Sequence, residues 1–272
     1  MNVSIQDTYN LVWKLGTVIT EGADPIILET YDTERRPVAM DLMRLDSQLV
    51  KAYEQEESSS APSGINDIRE RYAGFMAGVE VAYSHNVLIA EEDICGSSCL
   101  AGNIKLGMRL PSFPVVYQCD GTSTHLGQRL ISDASWKLLI FSGDLRQPAR
   151  MNALSSFADT FSKHSLRPHS TIEPLLIQSN PRTAVNLLGL PEIVHPFDDA
   201  LGWDYWKVFV DDMSDQAYRG YGIDPGGQGC LVLCRPDQHV AWIGGMQDVA
   251  GLCNYFSGFF SSPRKSDLAL VS

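Results

Sequence analysis

The sequence predicts an α/β protein in two parts: a helical segment over residues 1–104 and a mixed strand–helix domain over residues 105–272. Two observations carry this. Up to about Tyr83, apolar residues recur at intervals of three and four, the period of a helix with one buried face. From about Gly107, apolar runs of strand length take over, with one amphipathic helical stretch between the first two.

The first helix is expected from about Val3 to Ile19, with Ile5, Tyr9, Val12, Gly16 and Ile19 along one face. A face that apolar from its first turn requires a partner surface. The helix stops near Gly22-Ala23-Asp24. Pro25 then occupies a first helical position, and Ile26, Ile27, Leu28 and Tyr31 continue at helical spacing. Pro37, in Glu34-Arg35-Arg36-Pro37, predicts the end of one helix and the start of another, because proline removes a donor and clashes with the preceding turn. Met40, Leu42, Met43, Leu45, Leu49 and Tyr53 form the stripe of that next helix. Glu54 to Gly64 is polar and of low complexity, so a loop is expected. Ile68, Tyr72, Phe75, Val79 and Tyr83 predict one further helix, and Ala90 to Asn103 a connector.

In the second part, strands are expected over Trp136–Phe141, Ile172–Ile177, Trp206–Val210, Cys230–Cys234 and Val240–Ile243. Leu154, Phe157, Ala158 and Phe161 mark a helix over Ala149–His164. Arg235-Pro236-Asp237-Gln238 reads as the turn of a hairpin, with proline at a favoured turn position. A helix over Asp248–Phe260 closes the chain. Strand, helix, strand, hairpin and final helix is the plan of a thioredoxin-like domain.

Charge narrows the function classes. A formal net charge of -12 disfavours nucleic acid, whose binding rests on Lys and Arg neutralising phosphates, and disfavours anionic membrane surfaces. No apolar run reaches membrane-spanning length and no secretory leader precedes the first helix, so a cytoplasmic protein is expected. Six cysteines in 272 residues are too dilute for a disulfide scaffold. Cys95/Cys99 and Cys230/Cys234 lack the two-residue gap of redox and zinc motifs, and no metal is expected. The latter pair flanks Leu231-Val232-Leu233 and reads as small hydrophobes on one strand face.

His85, His125, His164, His169, His195 and His239 share no ligand spacing. Asp211, Asp212 and Asp215 lack the glycine and closing glutamate of a calcium loop and read as a solvated face. No Gly-x-Ser-x-Gly elbow occurs. Gly226-Gly227-Gln228-Gly229 lies between a turn and a strand, so it reads as a loop rather than a phosphate cradle. Trp13 and Lys14 are expected to be structural, as are Arg35 and Arg36, whose place beside Glu34 suits a surface or interface ion pair.

Several segments, in order, carry a family resemblance. They are the opening Met1-Asn2-Val3-Ser4-Ile5-Gln6-Asp7 helix, Glu34-Arg35-Arg36-Pro37, Phe75-Met76-Ala77-Gly78-Val79 with Tyr83, and Gly107-Met108-Arg109-Leu110-Pro111 with Asp120-Gly121 and His125-Leu126. Trp136 to Asp144, Tyr221-Gly222-Ile223-Asp224-Pro225 and Arg235 to Trp242 complete the series. Together they resemble FAD-dependent aromatic hydroxylases of the phenol 2-monooxygenase type. The resemblance implies a thioredoxin-like C-terminal dimerisation domain, preceded by a helical remnant of the FAD-binding and substrate domains. It implies FAD as cofactor, with Met1 and Asn2 as cofactor-binding residues at the helix end beneath the flavin ring. It further implies an aromatic small-molecule substrate, NADPH and oxygen, and a homodimer or pairing with a larger flavoprotein.

The departures shape the expected function. The N-terminal Gly-x-Gly-x-x-Gly fingerprint is missing, as are the family's Asp-Gly and Gly-Asp motifs and its substrate-pocket residues. Where thioredoxins carry their dithiol, this chain reads Ser142-Gly143-Asp144-Leu145-Arg146-Gln147-Pro148, so thiol–disulfide exchange is excluded. The expectation is the C-terminal part of an FAD-dependent aromatic monooxygenase, with no catalytic residue of its own and not self-sufficient as written. The alternatives are a non-catalytic thioredoxin-like interaction protein, or a truncated homologue recruited to flavin-independent chemistry in a biosynthetic pathway.

Overall fold

The computed structural model describes residues 2–58, 64–91, 100–163, 172–211 and 216–260. The chain opens with α1 (Asn2–Glu21), which packs on α2 (Ile26–Ser58). The Asp24 carboxylate accepts the Ile26 N–H at 2.9 Å and so starts α2. Contrary to the expectation of a break, α2 runs on through Pro37 and reaches Ser58, into the segment expected to be a loop. A mid-helix proline costs about 3 kcal/mol. Here Glu34, Arg35 and Val38, all buried, hold the helix on both sides of it.

The single helix expected over Ile68–Tyr83 is instead two short ones, α3 (Ile65–Arg71) and α4 (Ala73–Ala77). Gly78 ends α4 in the left-handed conformation at φ 75°, and Tyr83 lies beyond both.

The remaining elements are β1 (Pro114–Tyr117), β2 (Ser123–His125), α5 (Leu126–Arg129), β3 (Trp136–Gly143), α6 (Pro148–Lys163) and β4 (Ile172–Gln178). Three 3-10 turns and a small hairpin, β5 (Phe197–Asp198) with β6 (Gly202–Trp203), lead to β7 (Val208–Val210). Then come α7 (Gln216–Tyr221), β8 (Cys230–Cys234), β9 (Val240–Gly244) and α8 (Val249–Ser257).

Seven strands form one mixed sheet in the order β2-β1-β7-β4-β3-β8-β9. Its heart is thioredoxin-like: β3 and β4 are parallel around α6, and β8 and β9 form the expected antiparallel hairpin beside β3. β1 and β2, which the sequence patterning did not announce, extend the sheet beyond β7.

All eight residues of β3 are buried, as suits a central strand covered on both faces. Its side chains divide by alternation. Trp136, Leu138 and Ile140 join the core beneath α6 and α8, while Leu139 and Phe141 join the core containing Tyr218 and Tyr221.

The two parts of the chain share the first core. Trp136 meets Trp13 of α1 edge to face at 5.8 Å, Phe256 of α8 at 5.2 Å and Phe259, just beyond α8, at 5.8 Å. The Asp24 N–H also donates to the Phe259 carbonyl at 2.8 Å.

Ala90 and Gly107 lie along the outer edge of β9, where their N–H groups donate to the carbonyls of Ala241 and Val240. Gly107 is required there: it sits at φ 80°, and a Cβ would lie 1.8 Å from the Tyr83 carbonyl oxygen.

Trp136→Ala is expected to cost about 3–5 kcal/mol, because it empties the junction of three elements. Urea unfolding followed by circular dichroism measures this, with Val12→Ala on the exposed face of α1 expected to change stability by about 0.5 kcal/mol or less.

Candidate functional site

Of the apolar stripe that the sequence predicts along α1, Ile5, Val12 and Ile19 are exposed, while Tyr9 and Gly16 are half-buried. The buried face of α1 is polar instead. It carries Asn10, Lys14 and Thr17 beside Trp13. These meet Glu34 and Arg35 of α2, and Arg235, Asp237 and His239 at the β8–β9 turn.

At the centre stands Glu34. Its Oε1 accepts from Arg235 Nη1 at 2.5 Å and Asn86 Nδ2 at 3.0 Å. Its Oε2 accepts from Arg235 Nη2 at 2.9 Å, Lys14 Nζ at 2.8 Å and Asn10 Nδ2 at 2.7 Å. Arg235 also grips Asp237, Nε to Oδ1 at 3.0 Å and Nη2 to Oδ2 at 2.5 Å. The Trp13 indole N–H donates to the same Oδ2 at 3.1 Å. The guanidinium lies between the rings of Trp13 and Tyr83, 5.1 Å from each centroid.

Two cations and two carboxylates therefore sit out of water as a neutral, hydrogen-bonded set. That is the condition under which buried charge is tolerated. Burial alone would raise the Glu34 carboxyl, but Arg235 and then Lys14 bring it down to about 2. Burial, with the neighbouring Arg235 cation, pulls Lys14 down to about 8 against the attraction of Glu34. Asp237 is held well below the usual carboxylate range; burial opposes this, and Arg235 overcomes it.

Arg35 forms a second layer. Its Nε donates to Asp7 at 2.6 Å and its Nη1 to the Tyr83 hydroxyl at 3.0 Å. The Tyr83 ring stacks on His239 at 4.2 Å. Of the neighbouring arginines, only Arg36 is the exposed surface pair anticipated, on Asp32.

A cleft of about 450 Å³ opens beside this network between α1, Gly78 and the β8–β9 turn, with Gln6, Tyr9, Tyr83, Arg109 and His239 in its wall. The Tyr9 hydroxyl donates to the Pro236 carbonyl, and Arg109 donates to Gln238 Oε1 at 2.8 Å.

Of the two residues expected to touch the cofactor, Met1 lies outside the described residues, and Asn2 opens α1 with only its backbone described. The first turn of α1 carries no acidic side chain, so its free N–H groups keep their positive potential. That end fits an electron-rich ring edge. No Gly-rich strand–turn–helix occurs among the described residues to hold a pyrophosphate.

Other candidates fall away. Burial pushes the Cys230 thiol up to about 12 and Cys234 higher still; Cys95 and Cys99 lie outside the described residues. Asp211 corrects the reading of a solvated face: it is buried, and its carboxylate accepts the N–H groups of Ala217 and Tyr218 at 3.1 and 2.8 Å. Asp212 and Asp215 lie outside the described residues, as do His164 and His169. Among the described residues, no group of three His, Cys, Asp or Glu side chains could hold a metal ion. No helix among them is long and apolar enough to cross a membrane.

Glu34→Gln is expected to cost about 3–5 kcal/mol at neutral pH, since it leaves Lys14 and Arg235 under-compensated in the interior. Because the folded Glu34 titrates at about 2 rather than its ordinary 4.5, its contribution is present above pH 4.5 and is lost as pH falls toward 2. Lys14 acts in the alkaline range with the same sign: stability rises as pH climbs from about 8 to 10.5, because the folded chain sheds that proton first. Urea melts of wild type and Glu34→Gln across pH check both, with the variant flatter on the acid side.

The phenol hydroxylase C-terminal dimerisation domain family matches residues 81–264, and an FAD-binding domain family matches residues 1–46. The chain is 33% identical over 272 residues to the phenol 2-monooxygenase fsqG of Aspergillus fumigatus, covering 97% of this chain and 45% of that protein. It is also 33% identical to the 3-hydroxybenzoate 4-monooxygenase of Comamonas testosteroni, covering 95% of this chain and 43% of that one. The chain thus spans about half the length of the curated relatives it matches. In fold it is similar to aklavinone-11 hydroxylase, solved with FAD and aklavinone, at 16% identity and a TM-score of 0.54, covering 94% of this chain and 39% of that one. With the larger part of its length matched, the chain belongs to the phenol hydroxylase C-terminal dimerisation domain family and carries a segment of FAD-binding domain ahead of it.

Proposed function

We propose that this chain is the C-terminal part of an FAD-dependent aromatic monooxygenase, one that hydroxylates a phenol-like small molecule using NADPH and oxygen. The observation that carries the reading lies in the segment matched to the FAD-binding family. There α1 turns its polar face inward to the Glu34–Arg235 cluster and leaves Ile5, Val12, Leu15 and Ile19 exposed. A continuous apolar row of this kind marks an interaction surface. The occupant that suits it is the rest of a flavin-binding body, which the chain does not span.

In that assembly FAD supplies the redox chemistry. This chain's residues hold and orient. Met1 and Asn2 would place the N–H end of α1 against the electron-rich edge of the flavin ring. Lys14, Glu34, Arg235 and Asp237 fix the direction of α1 relative to the sheet. The division near residue 104 separates the helical contribution to the flavin-binding body from the thioredoxin-like domain that self-associates. Cytoplasmic location belongs to this reading, in keeping with the sparse cysteines and acidic charge.

The test joins the chain to the part of the Aspergillus fumigatus relative that it does not match. The joined protein is expected to retain FAD and to oxidise NADPH faster when phenol is added. The chain alone is expected to be colourless and inert toward NADPH. Ile19→Asp in the joined protein should lower FAD retention severalfold. A chain that holds FAD and consumes NADPH unaided overturns the division of labour, and a joined protein that retains no flavin favours the stand-alone interaction module.

A further inference from the structure

We infer that the excursion linking β4 to β7, centred on the β5–β6 hairpin, is the surface through which two copies of this chain associate. This rests on the reading of residues 105–272 as a self-associating domain, and it names the surface. Among the described residues, the exposed large apolar side chains fall into two groups. One lies on α1, α2 and the α4 region, and includes the α1 row assigned above to the flavin-binding body. The other lies within the residues matched to the dimerisation family. It consists of Leu188, Phe197, Leu201, Trp203 and Trp206, with Ile131 outside the excursion.

The excursion is built to be rigid. Val194 and Leu190 are buried in the core beneath it. Gln118 Nε2 donates to the Val185 carbonyl at 2.7 Å, and Arg182 Nη1 donates to the Gln118 carbonyl at 3.1 Å. Phe197 and Trp203 pair across the hairpin with ring centroids 5.1 Å apart, and Trp206 meets Tyr117 at 5.2 Å. An apolar platform already ordered in the free chain loses little entropy on association.

Leu201 is the most telling residue. It sits at the tip of the hairpin, 89% exposed, where turn chemistry calls for a small or polar side chain. The Asp198 carboxylate already satisfies the turn by accepting the N–H groups of Ala200 and Leu201, both at 2.9 Å. So exposed, the leucine side chain adds little to the packing of the described residues.

Association through sheet edges has little to work with. The outer edge of β9 is taken by Ala90 and Gly107, and β2 at the other edge is three polar residues long. A side-chain platform remains, and its occupant is a second copy meeting it about a two-fold axis, each hairpin on the other's excursion. A net charge of -12 opposes like copies, so an apolar centre must supply the attraction.

Sedimentation velocity over a wide concentration range tests this in the full chain carrying Ile19→Asp, which silences the α1 face. The Ile19→Asp chain is expected to be a dimer. Adding Leu201→Asp, or separately Leu188→Asp, should weaken the dimer at least tenfold while far-UV circular dichroism stays unchanged. A monomer before either substitution overturns the inference, as does undiminished dimerisation with both. Either result leaves FAD retention by the joined protein, and so the flavin reading, to stand or fall separately.

Discussion

The structure turns on one buried contact, the two-pronged bond between the Arg235 guanidinium and the Glu34 carboxylate. It joins α2 to the β8–β9 turn across 201 residues of sequence. Taken alone, so deeply buried a pair would struggle to repay its desolvation. It is sustained because the remaining donors and acceptors are also used. Lys14 and Asn10 complete Glu34, while Asp237 and the aromatic faces of Trp13 and Tyr83 complete Arg235. Non-directional packing could bring α1 to the sheet at many angles. The fork-to-fork pair fixes α2 against the turn, and Lys14 and Trp13 tie α1 to it, so the cluster contributes orientation more than adhesion.

That distinction explains the division of surfaces. A helix that met the sheet through leucines would have its apolar face consumed by that contact. By using polar groups on the inward side, α1 keeps its apolar row for a different partner. The thioredoxin-like sheet meanwhile has no cysteine at the position where the fold usually does chemistry, and its own thiols on β8 are raised by burial beyond reactivity.

Much of the second part was legible in the sequence, because its signals are local. The β8 and β9 runs, the Pro236 turn and the α6 spacing each fall within a few residues, and the observed elements coincide with them closely. The first part was harder. Pro37 reads as a break by every local rule, and only the tertiary anchoring of Glu34, Arg35 and Val38 carries α2 through it. Tyr83 matched a helical register by spacing alone, although Gly78 ends α4 five residues earlier. The central cluster was legible only in fragments. Arg235 and Asp237 were visible as turn residues and Glu34 as a surface charge, but no periodicity links positions so far apart. The available hint was two charged residues following an entirely apolar strand.

The long separation of Glu34 from Arg235 also has a consequence for synthesis. Ribosomes add roughly 5–20 residues per second, so α1 and α2 leave the exit tunnel on the order of ten seconds or more before their charge partner exists. Through that interval Lys14 and Glu34 have no guanidinium to close around. The cluster that orients α1 and α2 therefore closes only after the last hairpin has emerged.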